Sequence, residues 1–492
     1  MRAAAAVPLF LFGGLLIASD SEAEEGRIRA ANQLEVYYDT NLEESVLDDR
    51  LDLDLSWGRF SGGIVFLSHS PSNPQLLDPN DFGVRQEGIR KRWATATIEP
   101  ITVRLGDSYA SFGNGLVLRV VEDQAVDFDN VLDGMAIEAE LGRFEIEGIA
   151  GTNSLGPERT VVKGVSALFF ADAGWHVSFN GAIVDSVDGT TVVPGRDQIG
   201  GIEGGAYLPG GFEVAAEYAV RHYKPEREGR SPAPDGHATY LQASGFVGPV
   251  SLFLEAKDLL RFDHGYTIPP TVARQHTSTL LNRGSHVPNI RLEDERGFQA
   301  EALWSPLQDV YLTGNYSESE ARHSNLPAWE AFGMIEADFA GAHWVLLGAE
   351  TEEKVREGID RTFFERITFG GDVVRELGRG WSLEVLYETQ AIQQQDLATS
   401  HFEYPLKYRD HIAAATLSLS PKHTWSVNYE WTDSPLEEKD SWLWVEWSIR
   451  FGVVGQLTLA GGALRGGQVC SGGVCKLVDP FEGGRLELLT NF

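Results

Sequence analysis

Apolar and polar residues alternate with a period of two along much of the chain. The clearest stretch is Leu51-Asp52-Leu53-Asp54-Leu55-Ser56-Trp57, in which every second residue is apolar. Successive side chains of a β-strand point to opposite faces, so this pattern predicts strands with one apolar and one polar face. Similar alternation recurs around residues 135–147, 212–220, 381–388 and 425–431. Because no stretch shows convincing helical periodicity, we predict an all-β protein.

Short turns and long connections alternate between the predicted strands. Short turns are predicted near Gly58-Arg59, Glu99-Pro100, Gly142-Arg143, Asp172-Ala173-Gly174, Pro209-Gly210-Gly211, Gly248-Pro249, Ser305-Pro306, Ala340-Gly341, Gly378-Arg379-Gly380, Pro421-Lys422 and Gly452. Long connections include 69–88, 107–131, 186–198, 223–236, 261–293, 318–331 and 466–483. This asymmetry is typical of transmembrane β-barrels, which have short periplasmic turns and long outer loops.

Aromatic residues support the same interpretation. Seven of them lie within three residues of a predicted short turn: Trp57, Trp175, Phe212, Trp304, Trp344, Trp381 and Trp425. Amphipathic rings at that position are expected where a barrel meets a lipid interface. We therefore predict a transmembrane antiparallel β-barrel of about 24 strands, within a range of about 22–26.

Both ends of the sequence indicate export to the bacterial outer membrane. Residues 1–23 combine Arg2, an apolar run and Ser21-Glu22-Ala23, which predicts a signal peptide followed by a single barrel over residues 24–492. The last residues alternate and finish on the aromatic Phe492. This pattern resembles the last-strand signal that is read by the outer-membrane barrel assembly machinery, and so predicts that machinery as a partner.

The charge balance is strongly acidic. The chain has 40 basic and 72 acidic side chains, a formal net charge of −32, which argues against nucleic acid as a partner. If the apolar faces of the strands meet lipid, the alternating carboxylates face the lumen: Asp52, Asp54, Glu138, Glu140, Glu145, Glu147, Glu213, Glu217, Glu384, Glu388 and Glu430. They predict an acidic lumen that favours cations. The alternative is that these residues only supply the polar inner face that any such barrel requires.

A barrel of this strand number is too wide for the side chains of its wall to fill. The glycine-rich segment 107–131 is the candidate lumen-inserted segment, although it also fits one more strand plus a surface loop. Segment 261–293 is a second candidate and contains His264, His276 and His286. Their spacing is poor for a metal site, and we predict neither a metal nor a cofactor.

Several short motifs fall in these segments: Gly106-Asp107-Ser108-Tyr109-Ala110-Ser111-Phe112-Gly113-Asn114-Gly115-Leu116, Asp129-Asn130, Pro269-Pro270-Thr271, Leu280-Leu281-Asn282-Arg283 and Asp294-Glu295-Arg296-Gly297. In these motifs the chain resembles an uncharacterised family of large bacterial outer-membrane barrels, named only as a domain of unknown function. The resemblance extends along most of the mature chain. It implies an outer-membrane location and a single barrel, and it carries over no catalytic or binding residue.

The sequence favours transport over catalysis. It contains no H-E-x-x-H, no G-x-S-x-G and no phosphate-binding loop, so we predict that the protein is not an enzyme. The preferred function is a porin-like channel or passive transporter with a cation-favouring lumen. The alternative is a structural or assembly barrel that scaffolds surface or secretion machinery.

The two cysteines, Cys470 and Cys475, are predicted to form a disulfide that closes the last long loop, because an exported chain reaches an oxidising compartment. The closed loop is short, so the expected stabilisation is about 2 kcal/mol. A thiol titration of the unreduced protein should therefore find no free thiol. Titration of both cysteines without reductant would exclude the disulfide.

Overall fold

A computed structural model describes residues 26–492, apart from residues 42, 71–87, 127, 154–158, 172, 189–194, 226–234, 284–293, 323–325, 358, 395–405 and 472–473. The predicted signal peptide lies outside the described residues. Twenty-four strands form one antiparallel sheet. They are β1 (Arg27–Asp39), β2 (Glu44–Trp57), β3 (Phe60–Ser70), β4 (Gly88–Ile98), β5 (Ile101–Ser108), β10 (Leu132–Leu141), β11 (Phe144–Asn153), β12 (Arg159–Phe170), β13 (Trp175–Asp188), β14 (Gly195–Leu208), β15 (Phe212–Pro225), β16 (Gly236–Val247), β17 (Val250–Leu260), β18 (Glu295–Leu307), β19 (Val310–Ala321), β20 (Leu326–Phe339), β21 (Ala342–Glu357), β22 (Ile359–Gly378), β23 (Trp381–Gln394), β24 (Leu406–Leu419), β25 (His423–Thr432), β26 (Ser441–Phe451), β27 (Gly455–Leu464) and β30 (Phe481–Asn491).

The remaining elements are short and lie in two of the connections and in the last loop. They are the strands β6 (Ala110–Phe112), β7 (Leu118–Val120), β8 (Glu122–Asp123), β9 (Phe128–Asp129), β28 (Gly467–Ser471) and β29 (Val474–Val478), the helix α1 (Thr279–Asn282) and a single 3-10 turn at Gln124–Val126. Within the described part of the chain, no helix is long and apolar enough to cross a membrane.

The sheet closes on itself. Each barrel strand pairs with its neighbour along the chain, and β30 pairs with both β27 and β1. The backbone of Phe492 extends this closure, because its N–H donates to the carbonyl of Ala30 at 2.8 Å. A closed ring leaves no strand edge with unpaired backbone groups, which a lipid environment requires. The predicted 24-stranded antiparallel barrel is confirmed.

The two ends of the barrel differ in their connections. At one end, here called the turn end, eleven connections have two to four residues. At the other, the loop end, the connections include 109–131 and 261–294. The predicted turn at Ser305-Pro306 is displaced, because β18 continues to Leu307 through a register shift that accommodates Pro306. The predicted long connection at 318–331 is mostly strand.

The outer face of the barrel is apolar. Leu55, Ile137, Leu254 and Leu346 are among the many large apolar side chains that are exposed there. Aromatic rings gather near the turn end, where Trp57 is 62% exposed and Phe339 is 71% exposed. A closed barrel with an apolar outer band and an aromatic girdle is built for a lipid bilayer, and the fold points to the bacterial outer membrane. The main apolar core lies inside the ring.

Candidate functional site

The candidate site is the interior of the barrel. The eleven acidic residues that the alternation selects lie on the strand faces opposite the exposed apolar side chains. They divide into two groups. Asp54, Glu138, Glu140, Glu145 and Glu213 are exposed, and Asp52, Glu147 and Glu384 are partly exposed. Glu217, Glu388 and Glu430 are buried, because inserted chain covers them.

Residues 109–131, here called the first insert, run inside the ring between β5 and β10. Strands β6 and β7 pair as a hairpin whose turn contains Gly113, Asn114 and Gly115. The backbone N–H of Asn114 donates to Glu217 Oε2 at 2.6 Å. Gly113 has φ +62°, and a Cβ there would lie 2.4 Å from Glu217 Oε1, so the turn requires glycine to reach the wall.

An apolar cluster attaches the first insert to the wall. Phe112, Leu116, Val117, Leu118 and Val120 are almost fully buried. They pack against inward-facing apolar residues of consecutive strands: Ala136, Ile149, Val162, Ala182, Val184, Ile199, Ala219, Ala238, Tyr240 and Leu259. Burial of a large apolar side chain contributes about 1.5–3 kcal/mol, so the cluster stabilises the insert strongly.

Ion pairs hold the other side of the first insert. Lys91 Nζ on β4 lies 2.5 Å from Glu122 Oε2 and 2.9 Å from Asp129 Oδ2. Arg50 on β2 lies 3.6 Å from Glu122. Burial by itself raises the pKa of Glu122, but Lys91 and Arg50 outweigh that effect and hold the pKa below its usual value. Asp129 belongs to the Asp129-Asn130 motif, and Asn130 accepts a hydrogen bond from the N–H of Val121 at 2.6 Å.

Residues 261–283, here called the second insert, join the first insert inside the ring. The N–H of Arg119 donates to the carbonyl of Tyr266 at 2.8 Å, and the N–H of Ile268 donates to the carbonyl of Gly115 at 3.2 Å. His264 Nε2 lies 3.3 Å from the carbonyl oxygen of Leu116. Burial lowers the pKa of His264, which favours the neutral imidazole as a donor to that carbonyl.

The second insert then follows the wall towards β25. Helix α1 is capped by Ser278, whose side chain accepts from the N–H of Leu281 at 3.2 Å. Glu388 on β23 accepts from the N–H of Leu280 at 2.9 Å, so the wall supplies a second cap. Arg283 pairs with Glu430 on β25. Together the inserts contact strands from β2 to β25, which is achieved only from within the ring.

Of the eleven acidic candidates, Glu217, Glu388 and Glu430 each bind an insert, whereas the other eight do not meet at one point. The sequence analysis missed Lys91, Glu301 and Glu330, which bind the inserts from the wall. The signal for Lys91 was the basic run Arg90-Lys91-Arg92 in an otherwise acidic protein. Among the described residues, no group of three or more His, Cys, Asp or Glu side chains could hold a metal ion, and His286 lies outside them.

The predicted disulfide falls in the last loop. Strands β28 and β29 pair as a hairpin with Cys470 opposite Cys475 in Cα register. The side chains of both cysteines lie outside the described residues, so the disulfide stays a prediction.

A comparison with protein families identifies the family of this chain. A family model described as a "family of unknown function (DUF6029)" matches residues 32–451. The chain belongs to the DUF6029 family. Among curated proteins, none matches it.

Solved structures share the fold of this DUF6029 protein at low sequence identity. The P pilus usher (PapC) translocation pore has a TM-score of 0.50 and 10% identity, over 94% of this chain and 99% of that chain. PapC in an E. coli P pilus tip assembly intermediate has a TM-score of 0.51 and 10% identity, over 97% of this chain and 62% of that chain. The siderophore receptor PirA from Pseudomonas aeruginosa has a TM-score of 0.48 and 9% identity, over 96% of this chain and 81% of that chain. The usher structures show a shared barrel architecture.

The apolar cluster predicts the effect of truncating the first insert. Leu118 is fully buried, so Leu118→Ala should lower the free energy of unfolding by about 2–5 kcal/mol. Urea titration of the refolded protein, followed by heat-modifiable gel mobility, measures the change. Val453→Ala is the control, because Val453 is 95% exposed in a turn and its truncation should have little effect. Equal stability of the two variants would contradict the packing role of Leu118.

Proposed function

We propose that this protein is a porin-like channel or passive transporter of the bacterial outer membrane, with an acidic lumen that favours cations. The observation that carries the proposal is the uncovered group of carboxylates on the inner face near the turn end. Asp54, Glu138, Glu140, Glu145 and Glu213 are exposed although the barrel closes around them. Fixed charges of one sign on the wall of a narrow aqueous passage raise the local concentration of counter-ions.

The inserts support selective rather than unrestricted passage. They bind the wall near the loop end and leave the carboxylates near the turn end uncovered. We call the part of the lumen that is lined by these exposed carboxylates the vestibule. A solute would therefore cross the acidic vestibule first and then pass the inserts. A constriction of this kind favours small solutes, and we propose no catalytic step along the path.

The second candidate function is an assembly scaffold whose loops bind surface or secretion machinery. A barrel of the same fold is described as a translocation pore, and this likeness in fold supports the second candidate. A scaffold does not require a conducting lumen. The conductance measurement below therefore separates the two functions.

Neutralising the vestibule should reduce cation selectivity. In Asp52→Asn/Asp54→Asn/Glu138→Gln/Glu140→Gln, the cation-over-anion permeability ratio should fall severalfold, because the wall loses four negative charges. The ratio is obtained from reversal potentials in a planar bilayer under a salt gradient. Glu318→Gln/Glu320→Gln/Glu350→Gln/Glu352→Gln is a control with the same charge change on the outward faces of β19 and β21.

Unaltered selectivity in the vestibule variant, or an equal loss in the control, would contradict the lumen assignment. No conductance from protein that is shown to be folded would instead favour the scaffold.

We also propose that the C-terminal strand directs insertion by the barrel assembly machinery. Phe492 is 67% exposed at the seam between β30 and β1. Phe492→Ala should lower the amount of barrel in the outer membrane of cells and leave refolding in detergent intact, because it removes an exposed ring and keeps the backbone hydrogen bonds to Ala30. Phe451→Ala, at another exposed aromatic of the turn end, is the control. Normal insertion of the Phe492→Ala variant in cells would exclude the signal.

A further inference from the structure

The first insert and the last ten residues of the second insert are attached to the barrel by different forces. The first insert contributes five large apolar side chains to the main core. In the second insert, residues 274–283, here called the arm, bury two apolar side chains, Leu280 and Leu281, of which Leu281 packs with Phe332 and Ala349. Segments with few buried apolar contacts open at lower free-energy cost than segments with many. The arm should therefore detach from the barrel wall at a lower free-energy cost than the first insert.

Charged and polar contacts to four wall carboxylates hold the arm. Arg274 pairs with Glu301 on β18, and Arg283 pairs with Glu430 on β25. His276 Nε2 lies 2.6 Å from Glu330 Oε1 on β20. The carboxylate of Glu388 on β23 accepts hydrogen bonds from the backbone N–H groups of Thr279 and Leu280, in the first turn of α1. The arm thus places two guanidinium groups, one imidazole and one helix end along a row of carboxylates.

One polar atom of the arm has no hydrogen-bond partner while the arm is docked against the wall. The Nδ1 atom of His276 is buried and has no hydrogen-bond partner, although the His276 side chain is only 4% exposed. A buried polar atom without a partner costs free energy relative to its hydrated state. Release of the arm would hydrate this atom, which lowers the net cost of opening.

We propose that four wall carboxylates form a cation-binding row, namely Glu301, Glu330, Glu388 and Glu430. The docked arm occupies this row, and solutes that carry a guanidinium group compete with the arm for it and displace the arm. Removal of the arm without a replacement takes hydrogen-bond donors from the buried Glu330, Glu388 and Glu430 and from the partly exposed Glu301, which is costly. Arg465 stays on Glu430, with Nη1 at 3.0 Å, so that position is only partly vacated. A solute with a guanidinium group supplies the lost donors, and its binding shifts the arm towards the released state.

This inference rests on the proposed function, because the row lies on the inner wall of the same lumen. It adds a class of solute and a mechanism of opening to the acidic channel. The vestibule carboxylates set ion preference, whereas the covered row couples opening to a cationic solute.

Accessibility of an introduced cysteine tests the proposal without measuring conduction. In a Cys470→Ser/Cys475→Ser background, Leu281→Cys places a thiol where the side chain is 2% exposed while the arm is docked. Arginine should accelerate its reaction with a membrane-impermeant maleimide, in a dose-dependent way. Citrulline, which has a similar shape without the positive charge, should leave the rate unchanged at equal ionic strength. An equal effect of both solutes, or no effect of arginine, would overturn the proposal.

Loosening the arm by mutation gives a second test on the same protein. Arg274→Gln/Arg283→Gln should raise the labelling rate at Leu281→Cys severalfold in the absence of arginine and should increase single-channel conductance. Arg296→Gln is the matched control, because Arg296 pairs with Glu320 on the outer face and is 58% exposed. Unchanged labelling in the double variant, with the barrel shown to be folded, would contradict an arm held by these pairs.

The two proposals fail in different ways. Labelling that responds to arginine in a protein that never conducts would remove the channel and retain the releasable arm. Cation-selective conductance with labelling that never responds would retain the channel and remove the arm mechanism.

Discussion

The constraint on which this structure depends is the closure of 24 strands into one ring. Closure satisfies every strand edge, which lipid demands, but it encloses more space than the inward side chains of the wall can fill. Water or folded chain must occupy the remainder. Here the connections after β5 and β17 turn inward, and backbone hydrogen bonds between Arg119 and Tyr266 and between Ile268 and Gly115 join them into one unit.

The polarity of the inner wall changes where the wall contacts the two inserts. Where the first insert packs, inward positions of β10 to β17 such as Ala136, Val162 and Ala219 are small or apolar, and Glu217 lies among them as the acceptor of the Asn114 N–H. Towards the turn end the same strands carry inward carboxylates, such as Glu138 and Glu213. The same ring therefore contains a buried, largely apolar surface on which the first insert packs and an acidic vestibule. The polarity of each inward position depends on what lies opposite it across the lumen.

The short sequence motifs of the two inserts have a structural explanation. Gly113 and Gly115 allow a tight turn to contact Glu217 and Ile268, and Asn130 ties the end of the first insert to its middle. The Leu280-Leu281-Asn282-Arg283 motif forms the capped helix that reaches Glu388 and Glu430.

The sequence by itself determined the strand period, the alternation of short and long connections and the number of strands, because each depends on neighbours along the chain. It also indicated 107–131 as a segment that differs from ordinary strands. The assignment of Ser305-Pro306 as a turn was wrong by a few residues, because a bulge that accommodates a proline has the same local composition as a turn. Local composition also does not distinguish Glu138, which is exposed, from Glu388, which caps a helix 108 residues away in the chain. Only the tertiary structure decided which carboxylates are covered and that Lys91 pairs with the first insert, since these contacts join residues that no sequence period relates.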